Sequence, residues 1–433
     1  MTGNLTQCQP MFMREWMHSI DHLSDIMMTR PIYYGWWIVG ACVLAAMVGN
    51  ALGLFGAGVY LRAITASTGW DTGAVSGAVT LFYVVSALLL IPVGSGIGRI
   101  GPRPFVAVGG LAMAAGVAGM GHVSQLWQVY VLFPLMGVGW ACLSTTAVAT
   151  TLAPWFEKYQ GRAVSIASVG ASAGGMMGPP LLLLGSEWLG FAPTTATAAV
   201  VVLIVLLPLA LFVLRRRPED MGLFPDGLPP TQDNRPRHHS RWNRADALRT
   251  SALRTTMIAF GLGMSMQIGL LTHQATLLAE SLPTEAVAAT ISATAISALV
   301  GRLGLTKVAD RIDARTTSSV VLMTAAVSFC ALAATGSPVV LIGASMLFGL
   351  TVGNVTTLSP IIVRREFGAA AFGPVFGVAS CAIQLMTAVG PGFYGLLRDS
   401  SGSYHEPLLI AAALDTIAAI VILRGRRAKM TIS

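Results

Sequence analysis

The sequence predicts an all-α integral membrane protein: twelve transmembrane helices in two six-helix bundles around a central cavity. Three observations carry this reading. Of the 433 residues, 54% are hydrophobic and 11% charged, whereas soluble domains carry roughly 25% charge. Apolar runs long enough to cross a bilayer recur twelve times. Two unlike motifs repeat at the same distance, 212 residues on.

Residues 1–32 hold Arg14, Glu15, Asp21 and Asp25, which break any apolar core. They read as a cytoplasmic tail without a cleavable signal peptide, or an in-plane helix, or an over-extended start of translation. The apolar runs follow at about 35–61, 73–97, 104–123, 127–152, 162–185 and 192–214. These make a first bundle over 33–214. Residues 215–253 are rich in Pro and Arg and read as a cytoplasmic linker rather than a folded module. A second bundle over 254–424 takes the runs at about 254–279, 286–308, 317–335, 338–362, 372–396 and 407–424. Residues 425–433 are a tail.

The chain carries a net charge of +8. With a cytoplasmic N-terminus, only Arg62 and Arg398 fall in outer loops, Arg302 lies within a span, and the other 24 of 27 basic residues are inside. That is the asymmetry that orients membrane proteins, so the charge reports topology and not nucleic-acid binding. The expected location is a bacterial-type inner membrane, crossed many times, with both termini cytoplasmic.

The repeat has two parts. Gly94-Ser95-Gly96-Ile97-Gly98-Arg99-Ile100-Gly101-Pro102-Arg103 joins runs two and three, and Thr306-Lys307-Val308-Ala309-Asp310-Arg311-Ile312-Asp313-Ala314-Arg315 joins runs eight and nine. Arg99 pairs with Arg311 and Arg103 with Arg315, and Gly178-Pro179 pairs with Gly390-Pro391, each 212 residues on. A duplicated six-helix unit follows.

These loops resemble the signature of the major facilitator superfamily. Further motifs resemble its branch of monocarboxylate transporters and oxalate–formate exchangers. They are Tyr33-Tyr34-Gly35-Trp36-Trp37, then Thr68-Gly69-Trp70-Asp71, then Trp155-Phe156 with Gly161-Arg162-Ala163, and Arg217-Pro218-Glu219-Asp220-Met221-Gly222-Leu223-Phe224-Pro225-Asp226-Gly227. The resemblance implies a secondary carrier in which a helix-eight arginine, at the place of Arg302, binds the substrate carboxylate. It also implies a gating motif at Gly94, Arg99, Arg103, Asp310, Arg311 and Arg315. Gly98 stands where the family has an aspartate, so the lock of the first half is expected to be weaker. Run one has no lysine, and run eleven no cation before Arg398.

The residues themselves point the same way. Arg302 interrupts an apolar run about eight residues, or roughly 12 Å, before the next charges. A guanidinium does not lose its proton. At membrane depth it faces a polar interior or snorkels to headgroups, and we read it as the anchor for a transported anion. One fixed cation matches a monoanion. Other polar groups deep in apolar runs are candidate solute contacts: His273, Asn50, Asn354 and Gln384, with Tyr83 and Trp140 as aromatic walls. Each has a bland alternative in helix packing. His273 and Asp415 are the candidate proton-coupling groups. Gly170, Gly174 and Gly178 are read as helix-packing glycines, and Pro179-Pro180 as a break or kink.

The expected function is movement of a small organic anion, a monocarboxylate, by proton symport or exchange. Export of drugs or hydrophobic metabolites, and uptake of a neutral nutrient such as a vitamin, are the alternatives. No nucleophile–base pair, phosphate loop or metal-ligand cluster appears, so no enzyme activity, metal or cofactor is expected. The five cysteines show no paired spacing. The partners expected are the anion, protons or a counter-anion, and the bilayer. The chain is expected to be a monomer.

Overall fold

The computed structural model describes residues 33–157, 159–227, 244–308, 313–334 and 336–425. Twelve helices among them are long and apolar enough to cross a membrane. They are α1 (Gly35–Thr68), α2 (Thr72–Ile100), α3 (Arg103–Met120), α4 (Leu126–Leu152), α5 (Gln160–Leu189) and α6 (Phe191–Val213). After the linker come α7 (Ser251–Ala279), α8 (Thr284–Val308), α9 (Ala314–Ala334), α10 (Pro338–Phe367), α11 (Ala369–Ser401) and α12 (His405–Leu423). Helices dominate because backbone polar groups in hydrocarbon must be satisfied within the segment. The even number of crossings on either side of the linker places it on the same face as both ends of the described chain.

Within the first bundle α1 packs on α5, α2 on α4, and α3 on α4 and α6. Within the second, α7 packs on α11, α8 on α10, and α9 on α10 and α12. Three contacts join the bundles: α2 with α11, α5 with α8, and α1 with α7. The first two exchange under the 212-residue repeat, which gives the molecule its internal two-fold character.

The glycine stripe of α5 does what small residues do in membranes. A side chain at Gly170, Gly174 or Gly178 would run into Val43, Met47 or Ala51 of α1. Gly390, the repeat partner of Gly178, meets Ser265 of α7 in the same way. Close backbone approach, rather than hydrophobic drive, holds such pairs in lipid.

One expectation needs correction. Helix α5 does not break at Pro179-Pro180; it runs unbroken from Gln160 to Leu189. The irregularities lie instead in α6, which ends in a π-turn over Leu209–Val213, and in two further stretches: α1, which widens to a π-turn over Asn50–Leu54, and α4, which leaves helical geometry at Ser144 (φ −66°, ψ 163°). The Ser144 hydroxyl donates to Ala141 O (2.9 Å) and accepts from Ala147 N (3.3 Å), so it closes both halves of α4. The irregular stretches of α1 and α4 adjoin, with Gly49 against Leu143 and Gly53 against Trp140.

The ends of the linker are ordered among the described residues. Asp226 takes a left-handed conformation (φ 57°). It donates its N–H to Trp155 O (3.0 Å), and its carboxylate accepts from Glu157 N (3.0 Å) and Tyr159 N (3.3 Å). Tyr33 donates to the same Trp155 carbonyl (2.9 Å), and Tyr34 to Val213 O (2.7 Å). Burial, Asp226 and Glu219 together push the Tyr33 hydroxyl up to about 12, so it stays a donor. At the other end a short helix, Arg244–Arg249, buries Ala247 against the second bundle.

Candidate functional site

Helix α8 presents an exposed stripe of Ala289, Ile296, Val300 and Leu303, spaced as one face of a helix. Arg302 lies two residues beyond Val300, roughly 200° around the axis. It therefore points away from that stripe, on the side that also holds the buried Ile291 and Leu305. Helix α10 comes close enough there that a side chain at Gly353 would touch the Arg302 Cβ (3.2 Å).

The Arg302 Nη2 reaches Thr356 Oγ1 at 3.5 Å, the outer limit of a hydrogen bond. Its Nε is buried without a partner among the described residues. No acid pairs with it among the described residues. Asn354, next to Gly353, donates to Leu350 O (3.0 Å) and leaves its Oδ1 buried and unpaired among the described residues. The structure thus brings Arg302 and Thr356 together at one α8–α10 contact, while Asn354 bonds its own helix.

A second group forms in the first bundle. Asn50 is buried in the π-turn and donates to Ala46 O (2.8 Å) of its own helix. Trp140 packs on Gly53, and its indole N–H has no partner among the described residues. Phe82 bridges Trp140 (6.2 Å between centroids) and the buried Tyr83 (4.9 Å, edge-on). Gln384 of α11 is half-buried and stands apart from both groups.

His273 is elsewhere. It is fully buried in the seam between the bundles. Its Nε2 is 3.0 Å from Pro391 O and 3.2 Å from Ser76 Oγ, and its Nδ1 is 3.0 Å from Tyr404 Oη. A carbonyl only accepts, so the network assigns the proton to Nε2, and the Tyr404 hydroxyl donates to Nδ1. Burial holds the Tyr404 hydroxyl above its usual range, which keeps it a donor. Both ring nitrogens are therefore occupied, and in this conformation His273 is a seam residue rather than an open solute contact. Gln267 and Gln274 likewise serve packing, bonding Thr351 (3.3 Å) and Thr294 (3.0 Å) within their own bundle.

The hydrogen bonds that join the bundles among the described residues lie in the half away from the linker. Besides those of His273, Gly392 N donates to Thr80 Oγ1 (3.0 Å) and Ser292 Oγ to Met176 O (3.1 Å). Asp399, at the end of α11, accepts from Thr72 N (3.2 Å) and Gly73 N at the start of α2. The protein is shut on the face opposite the linker. Asp399, Ser76, Thr80 and Tyr404 were not legible as functional from sequence, because each acts through a partner distant in the chain. Thr356 was visible only as a neighbour of Asn354.

Asp415 is fully buried in the second bundle, and neither carboxyl oxygen has a partner among the described residues. It faces Gly263 of α7, inside one bundle and away from the seam. Of the residues expected to gate, Arg99 is exposed and Gly94 half-buried on the last turns of α2. Arg103 donates to Leu214 O (2.7 Å) and Leu211 O (3.0 Å), tying α3 to the end of α6. Arg315 ties α9 to the end of α12 through Ile422 O (2.8 Å), and pairs in a fork with Glu366 (2.7 and 2.9 Å). Asp310 and Arg311 lie outside the described residues.

A crevice of about 350 Å³ between α1, α5 and α6 is lined by Met47, Ala51, Met177, Leu181 and Val201 among others. It contains no charged group and opens between exposed apolar side chains, so it offers an anion nothing.

Two six-helix bundles, sealed at one face and carrying within α8 a charge with no acid beside it among the described residues, define a membrane carrier of the alternating-access kind. The chain belongs to the Major Facilitator Superfamily, whose family model matches residues 41–391. That family consists of transporters and not enzymes. Monocarboxylate transporter 13 of Bos taurus is 26% identical over 386 residues, 88% of this chain and 86% of that protein. An uncharacterized MFS-type transporter of Bacillus subtilis, YcxA, is 23% identical over 149 residues, covering 34% of this chain and 36% of that protein. Among solved structures, a bacterial homolog to the human lysosomal transporter Spinster superposes in two forms. The inward-facing and unoccupied form gives a TM-score of 0.68 at 16% identity, covering 93% of this chain and 100% of that one. The inward-facing and occupied form gives 0.70 at 13% identity, covering 91% and 97%. At these identities the likeness shows the fold alone.

Proposed function

We propose that the protein carries a small organic anion, a monocarboxylate, across a bacterial-type inner membrane, with both termini cytoplasmic. Arg302 is the anchor for the carboxylate. The observation that carries this reading is a guanidinium on the side of α8 opposite its exposed stripe, with a buried, unpartnered Nε and no acid beside it among the described residues. A fixed cation in such a place is favourable when its counter-charge arrives with the solute, since a fork of N–H donors matches a carboxylate. Asn354 and Thr356 complete the polar side of the site. Trp140 and Tyr83 form its apolar wall on the first bundle. The resemblance to monocarboxylate transporter 13 supports the same solute class.

Transport is driven by a proton or by exchange. Of the two titratable candidates we favour His273. Bundles that rock apart must change its surroundings, whereas Asp415 stays inside one bundle throughout. Replacing His273 by Gln should then abolish acceleration by an inward pH gradient while leaving counterflow intact; acceleration that persists removes His273 from coupling. For the solute, a thermal-shift screen of small carboxylates on purified protein should yield ligands that stabilise the wild type and not Arg302→Ala. Equal shifts in both would dismiss the anchor.

A further inference from the structure

We infer that Asp399 is the latch of the closed face: a carboxylate at the end of one bundle that caps the first turn of the other. The α2 helix begins at Thr72, and its first amides have no partner within their own helix. Asp71, in the cap position, makes no side-chain capping bond. Asp399 supplies the cap instead, from 327 residues away, through Thr72 N and Gly73 N. Such bonds join a full negative charge to the positive end of a helix, so they are stronger than neutral ones. The fit is tight, because a side chain at Gly73 would strike Asp399 and Leu396. Arg398 stands beside the carboxylate (3.9 Å) and over the Tyr404 ring (5.9 Å), which continues to His273.

The latch exists on one seam only. Under the 212-residue repeat, Asp399 corresponds to Glu187 at the end of α5, and Thr72 to Thr284 at the start of α8. Glu187 is exposed, and no bond joins it to α8 among the described residues. The α2–α11 seam therefore carries a charge-based clasp that its symmetry mate lacks. Opening the face must break two charged bonds in a single place. This assignment does not rest on the identity of the solute.

The test is a distance measured across the closed face. Spin labels at Ser67 of the first bundle and Ser281 of the second, both exposed, are attached in a background with the five cysteines replaced by Ala. Pulsed electron–electron resonance on the full chain then reads the opening. Asp399→Asn should add a longer-distance component absent from the parent, and Asp399→Glu should retain the short one. Gly73→Val attacks the same clasp from the other bundle and should also lengthen the distance. It serves equally if Asp399→Asn inserts poorly. Unchanged distance distributions in well-folded Asp399→Asn or Gly73→Val protein would overturn the assignment.

Discussion

Two arginines of the second bundle, Arg302 and Arg315, show how much a partner decides what a charge is for. Arg315 is buried at the linker end of α9 and Arg302 lies within the apolar α8, and in both places an unmatched charge is costly. Arg315 is 8% exposed and spends nearly all its donors on fixed groups: Glu366 in a fork, Ile422 O, Ala252 O (3.0 Å) and Thr255 Oγ1 (3.2 Å). It welds the linker ends of α7, α9, α10 and α12. Arg302 has one marginal contact among the described residues, with Thr356. The same side chain is structural in the first place and available in the second. Arg103, the repeat partner of Arg315, is intermediate. It holds two carbonyls of α6 but has no acid, since Pro154 stands where the repeat would put Glu366.

That contrast orders the expected stabilities of substitutions. Glu366→Gln leaves Arg315 buried without its counter-charge, and should cost about 3–5 kcal/mol. Thermal unfolding in detergent would show it as the largest drop; a near-neutral variant would mean that the fork is replaceable. Arg103→Ala loses two charged bonds from an exposed site, and should cost about 1.5–3 kcal/mol by the same assay. A loss matching that of Glu366→Gln would erase the asymmetry between the halves. Ser144→Ala removes the cap that closes the break in α4, and should cost about 1 kcal/mol. Arg302→Ala should be the mildest, within about 0.5 kcal/mol of the parent or stabilising, because no resident partner among those described is stranded. A large loss there would make Arg302 a second Arg315.

The spans were readable from hydropathy, and the two-bundle plan from the repeat of Gly178-Pro179 and Arg103. Hydropathy could not tell how each helix is turned. Helices such as α1 are apolar all round, so no face stands out. That is why Asn50 looked open to solute when it bonds its own helix, and why the π-turn beside it left no trace. The docking of Asp226 was hidden because the linker composition resembles disorder, while its order comes from three bonds to a loop about 70 residues earlier. Asp399 looked like an ordinary loop acid for the same reason: its partners are amides in the other bundle. Arg302 was legible because a permanent charge within an apolar run needs an account wherever it points.

Uptake of a labelled small carboxylate into reconstituted vesicles, compared among the parent, Arg302→Ala and Arg302→Lys at equal insertion, tests the account most directly. Uptake should be abolished in Arg302→Ala and strongly reduced in Arg302→Lys, since an ammonium lacks the fork that meets both carboxylate oxygens. Undiminished uptake in Arg302→Ala would contradict it.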